Sequence, residues 1–179
     1  MKKFMKITAI VMALALLVCA FASCGGQGSG DASSADGGAA AADAVKGETQ
    51  TWGNITVLVP EDMTLKGGNV LDEKNPDVVN ISKKDNAMNY FLITINDDEE
   101  GVKSGIDSTR EVNDGAKDVT VDAGASWKGV TYEYSGMDVF QIYADFDGRF
   151  AVVQSYGFAA DSDVSKAILS SLKVAAKAD

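Results

Sequence analysis

Histidine is missing from this sequence altogether, and cysteine and proline occur only twice each in 179 residues. The first absence removes the commonest acid–base group near neutral pH and the commonest metal ligand. A serine–histidine triad, a zinc-protease helix and a histidine-bound oxidase centre are therefore excluded. Both cysteines, Cys19 and Cys24, fall in the first 24 residues, so everything downstream lacks a disulfide, a thiol nucleophile and a cysteine metal site. No Gly-x-Ser-x-Gly surrounds Ser104 or Ser135, and no glycine-rich loop is built to cradle phosphate. Carboxylate-pair hydrolysis, lysine chemistry and all-oxygen cation binding survive these exclusions.

Basic residues are also scarce, 16 against 26 acids, and their distribution is uneven. Lys2, Lys3 and Lys6 open the chain with no acid among them, and Ile7–Ala22 follows as an apolar run broken only by Thr8. About 16 apolar residues suit a signal-peptide core and fall short of the roughly 20 that span a bilayer. Small Ser23 stands immediately before Cys24, whereas bulky Val18 precedes Cys19. This segment resembles a bacterial lipoprotein signal peptide, and the chain as a whole resembles small lipoproteins of Gram-positive bacteria. The resemblance implies a diacylglyceryl group on the Cys24 sulfur and cleavage ahead of it. Two acyl chains, at about 0.8 kcal/mol per buried methylene, give durable anchoring. The expected location is the extracytoplasmic face of the cell membrane, with lipidated Cys24 as the partner of the bilayer.

Residues 1–23 are thus read as signal peptide, 24–50 as a lipidated cysteine and tether, and 51–179 as a single domain. The tether is rich in Gly, Ser and Ala and has no aromatic residue, so burial cannot repay its ordering entropy. Its typical reach is about 25–30 Å. Loss of the three signal lysines moves the net charge from −10 to −13. Such a field opposes nucleic acid and anionic lipid surfaces.

The domain of about 129 residues is long enough for a core without disulfides. Alternation predicts strands at Ile55–Val59, Val78–Ser82, Tyr90–Ile95, Val119–Val121, Trp127–Tyr134, Val139–Phe146 and Phe150–Phe158. Met63–Gly68 reads as a turn-containing connection. Asp147-Gly148 predicts a two-residue hairpin that pairs Phe146 with Arg149, Ala144 with Ala151 and Ile142 with Val153. Asp98–Val112, with acids at its start and Val102 and Ile106 on one side, predicts a helix despite Gly101 and Gly105. A last helix is capped by Asp161-Ser162-Asp163, packs Val164, Ile168 and Leu172, and continues toward Val174. The fold class is α+β, an antiparallel sheet covered by helices. Ile55-Thr56-Val57-Leu58-Val59-Pro60 and Ala167-Ile168-Leu169-Ser170-Ser171-Leu172-Lys173 resemble the opening strand and closing helix of the Mog1/PsbP-like fold. That resemblance spans roughly residues 51–174 and implies an αβα sandwich. Members of the family bind a nuclear transport GTPase or support photosynthetic oxygen evolution; neither role nor any site residue transfers to an acidic lipoprotein.

Three constellations carry chemistry. Asn96, Asp98, Glu100 and Asp107, with Gly101 at the bend, loosely follow the alternation of a calcium loop, although acids at a helix start explain them more simply. Glu133, Asp145 and Asp147 are the candidates for a carboxylate pair, against an ordinary role in turns and on a solvated face. Trp52 and Trp127, with Tyr132, Tyr134, Tyr143 and Tyr156, offer aromatic surface for a peptide or glycan, or serve as packing. The leading expectation is a tethered binding domain that is not an enzyme, uses no cofactor, and meets an envelope protein, peptide or glycan. Its alternatives are a carboxylate-dependent hydrolase of wall or extracellular glycan, and a structural envelope protein. Cys24→Ala is expected to abolish incorporation of a palmitate analogue and leave the precursor uncleaved. Unchanged labelling would sink the lipoprotein reading.

Overall fold

The structure, a computed structural model, describes residues 45–69 and 71–177. The signal segment and Cys24 lie outside the described residues, as does most of the tether. In chain order the elements are β1 (Gly47–Trp52), β2 (Ile55–Pro60), β3 (Met63–Gly67), β4 (Val78–Lys83) and β5 (Tyr90–Asn96). Helix α1 (Glu99–Val112) follows, then β6 (Lys117–Asp122), β7 (Ser126–Tyr134), β8 (Met137–Phe146) and β9 (Arg149–Tyr156). Helix α2 (Asp163–Ser171) and the short β10 (Lys173–Val174) complete them.

Seven strands form one antiparallel sheet in the order β3-β4-β5-β9-β8-β7-β6, and β1-β2-β10 form a second, smaller one. The large sheet is apolar on both faces. One face presents Val79, Ile81, Phe91, Ile93, Phe140, Ile142, Ala151 and Val153, which pack with Ile55, Val57 and Val59 of β2 and with Ile168 and Leu169 of α2. The other face carries Val130, Tyr132 and Val139, and α1 lies over β7, β8 and β9 with Val102 and Ile106 buried beneath it. The domain is therefore α+β, with a helix on each side of the sheet.

The hairpin at Asp147-Gly148 forms in the expected register, Phe146 opposite Arg149 and Ile142 opposite Val153. Both turn residues have positive φ, 55° and 82°, the backbone that such a turn demands. Helix α1 starts as expected, Asp98 accepting the Gly101 amide, and Ser162 caps α2 by accepting the Ser165 amide.

Three strands depart from the sequence reading. Residues 47–50, expected in the tether, already belong to β1. No apolar alternation marks them; they are held by backbone pairing to β2 from Gly47–Pro60 to Trp52–Ile55. Met63–Gly67 is a strand rather than a turn, because Met63 and Leu65 supply one apolar flank and β4 offers a free edge. The end of the chain does not stay helical to Val174. Leu172 is extended at the cap, and Lys173 and Val174 pair with Thr56 and Ile55 of β2. Just beyond that short ladder the Ser171 hydroxyl accepts the Leu58 amide at 2.8 Å.

Ile168 is fully buried against β2 and the large sheet. Ile168→Asp is expected to cost about 3–5 kcal/mol, through lost packing and a buried unpaired charge. Urea melts of the full chain measure it; an unchanged midpoint would mean that α2 does not pack there.

Candidate functional site

The acids singled out in the sequence do not gather. Asn96 ends β5, Asp98 is committed to capping α1, and Glu100 sits in the first helical turn. Asp107 is nearly two turns further along α1 and pairs with Arg110. Among the described residues no group of three or more His, Cys, Asp or Glu side chains is placed to hold a metal ion. Asn96 and Asp98 line one groove of about 260 Å³, while helix propagation from Glu99 sets Glu100 and Asp107 further along α1, and capping accounts for Asp98. The hydrolase triplet is dispersed as well. Glu133 stands opposite Asp138 at one end of β8, while Asp145 lies near the other end, accepting the Gly148 amide at 2.7 Å. Asp147 occupies the left-handed turn position beside it.

The tryptophans turn inward. Trp127 is fully buried, tilted against Phe146, and donates its indole N–H to the Ala123 carbonyl at 3.0 Å. It is a core residue, which corrects its candidacy as a ligand contact: it faces the β2 side of the sheet, where α2 and the small sheet exclude solvent. Trp52 is half-buried. Its N–H donates to Asn75 O at 2.9 Å, and its ring lies on Gly67, where a Cβ would stand 1.9 Å from the indole. Trp52 thus latches β1 over the last residue of the edge strand β3. On the α1 face, Tyr90 and Tyr156 stack with ring centroids 5.1 Å apart. Tyr132 is buried beside them; burial, reinforced by Tyr156, pushes its hydroxyl up to about 12, so it stays protonated. Tyr134 is exposed, and Tyr143 lines the groove beneath α1.

Arg149 was not singled out in the sequence, yet it joins more segments than any other charged side chain described. It is almost fully buried and donates to Asp77 at 2.8 Å, to Asp97 at 3.2 Å and to the Ala175 carbonyl at 3.1 Å. Asn54 donates to the same Asp77 oxygen, and Lys177 reaches Asp97 at 2.7 Å. Burial works against the guanidinium charge, but the hydrogen bonds that Arg149 donates to Asp77 and Asp97 prevail and its pKa is raised. Asp97 is lowered, first by the Lys177 hydrogen bond and then by Arg149. Each side chain of this cluster is paired with another, and together they tie four segments of the chain.

Grooves of about 260 Å³ lie beside Glu61 and Lys84 and beside Asn96 and Asp98, and two larger ones flank the β6 end of the large sheet. Among the described residues β6 pairs only with β7 and is the last strand on that side. On the α1 face of this edge is a groove of about 330 Å³, lined by Ile106, Arg110, Asp118, Lys128 and Tyr143. On the opposite face is a groove of about 540 Å³, lined by Val119, Val121, Thr131, Ala159, Ala160 and Lys166. Val119 and Thr120 border both. The sequence reading placed the strand but saw no site there; the alternation Asp118-Val119-Thr120-Val121-Asp122, acids to one face and valines to the other, was the available signal. Neither a protein-family model nor a curated protein matches the chain.

Removing Arg149 leaves Asp77 without its closest cation. Arg149→Ala is expected to cost about 3 kcal/mol, and Arg149→Lys to recover only part, since one ammonium cannot meet three acceptors in a fixed fork. The pH dependence has a definite sign. Asp97 has its pKa depressed below 3.8 in the folded state, so its contribution is present above that value and is lost as pH falls through the lower, folded pKa. Urea melts between about pH 6 and 2 should show Asp97→Asn flattening the acid limb; an identical limb would remove Asp97 from the account.

Proposed function

We propose that this chain is a lipid-anchored protein of the extracytoplasmic membrane face whose domain binds another envelope component and catalyses no reaction of its own. The anchor rests on the signal pattern before Cys24, and the tether on the composition of the residues that follow it. Helices on opposite faces of one antiparallel sheet support kinship with the Mog1/PsbP-like fold, as a matter of architecture only.

One observation carries the binding role: the β6 edge is open to pairing and has a groove on either face. A strand edge with flanking grooves recognises extended segments through main-chain hydrogen bonds, with side-chain pockets adding selectivity. The competing hydrolase reading needs two carboxylates converging in a cleft; Glu133 is at the opposite end of β8 from Asp145 and Asp147, and that pair sits on an exposed turn. A tether that confines the domain near the membrane raises its local concentration toward a neighbouring partner.

Photo-crosslinkers placed singly around the domain, on intact cells, test this role. One saturable partner is expected, alongside no turnover of peptide, ester or glycan substrates by the purified full chain. Turnover that vanishes when an Asp or Glu pair is neutralised with the fold intact would replace binding by hydrolysis. Capture of nothing saturable from any position would leave a structural envelope role in its place.

A further inference from the structure

Resting on that binding role, we propose that β6 is completed by an antiparallel strand from another polypeptide, a segment in which two basic residues flank an apolar–polar–apolar core. The large sheet ends in two strands, β3 and β6. At the β3 end, the indole of Trp52 lies on Gly67, and the adjoining groove of about 260 Å³ is lined mostly by polar residues, among them Glu48, Gln50, Glu61 and Lys84. At the β6 end nothing among the described residues pairs with the outer side of the strand, and grooves flank it above and below.

Register assigns each side chain of an added strand to one groove. Residues opposite Val119 and Val121 would turn to the α2 side, where Ala159 and Ala160 line the larger groove together with those valines. Apolar side chains fit there. Residues opposite Asp118, Thr120 and Asp122 would turn to the α1 side. Asp118 is 79% exposed and holds Arg110 through Oδ1 alone, leaving Oδ2 without a partner among the described residues. Asp122 is exposed and makes no ion pair among the described residues. Opposite charges directly across strands attract, and like charges repel. Two basic residues therefore belong opposite Asp118 and Asp122. Between them Thr120 stands across from Lys128 within the sheet, and Lys103 and Arg110 line the same groove, which disfavours a third cation, so a neutral polar residue suits the centre. The chain's net charge of −10 draws a basic segment from a distance as well.

The same argument disfavours a second copy as the occupant. Antiparallel self-pairing that sets Val119 against Val121 also sets Asp118 against Asp122 at both ends. Such charges are a usual protection of an edge strand against its own kind. They admit a partner of opposite pattern.

The test uses the full chain in detergent and a cyclic hairpin that presents Lys-Val-Thr-Val-Lys on one strand, so that the cost of extending the peptide is already met. Titration followed by amide NMR should saturate, with the largest shifts at residues 117–122. A hairpin presenting Glu-Val-Thr-Val-Glu, and one presenting the scrambled Lys-Lys-Thr-Val-Val, should bind at least tenfold more weakly. Charge reversal by Asp118→Lys with Asp122→Lys should exchange the preference between the lysine and glutamate hairpins. Asp122→Asn, at an exposed side chain with no ion pair, should weaken the lysine hairpin in the same direction if the double variant fails to fold. Equal binding of the scrambled hairpin, shifts centred away from β6, or indifference to both sets of variants would overturn the assignment. Those results, combined with a saturable partner crosslinked from some other surface, would remove the β6 edge while leaving the binding role intact. A self-associating full chain whose association is lost on Thr120→Pro would replace the foreign strand with a second copy.

Discussion

Everything in this domain follows from a sheet that is apolar on both faces. Phe91, Ile93, Ile142 and Val153 on one side and Val130 and Val139 on the other are all removed from water. Neither face can be left open, since at about 25 cal/mol per Å² the exposed side chains would forfeit much of the folding free energy. Helix α1 closes one side, and α2 with the β1-β2-β10 sheet closes the other. Arg149 holds the margin where those covers meet the sheet, tying the turn before β2's first residue, the start of β4, the end of β5 and the tail after β10 through Asn54, Asp77, Asp97 and Ala175. Covering faces does not cover ends, and among the described residues neither end strand of the large sheet, β3 or β6, has an outer neighbour.

Strands with strict alternation and strong turns were readable from the residues alone. Tyr90–Asn96 alternates buried and half-buried positions along its whole length, and Asp147-Gly148 fixed a register that the structure reproduces. The elements that escaped notice share a physical cause. β1, β3 and β10 are short or polar and owe their pairing to the neighbouring β2 and β4, which no local pattern encodes. Arg149 escaped because its three acceptors lie 26, 52 and 72 positions away in the chain and carry no spacing of their own.

The candidate site was legible in a different way. Acid clusters drew attention because oxygen ligands and general acids are acidic, yet here Asp98 caps a helix, Asp107 neutralises Arg110, and Asp145 braces a turn. The aromatics drew attention as recognition surface, yet Trp127 is enclosed and Trp52 is a latch. β6 went unremarked since an edge is a property of topology. Its sequence, Lys117-Asp118-Val119-Thr120-Val121-Asp122, specifies a strand and two unlike faces, but only the strand order leaves it without an outer neighbour among the described residues.

A single exchange measurement bears on the claim that this edge is completed on the cell. Hydrogen exchange of the β6 amides, read by mass spectrometry on intact cells and on the purified full chain, compares the edge with and without its partner. The account predicts slow exchange across residues 117–122 on the cell and fast exchange of their outward amides in isolation, with β1 unchanged between the two. Equal exchange of β6 in both settings would contradict it.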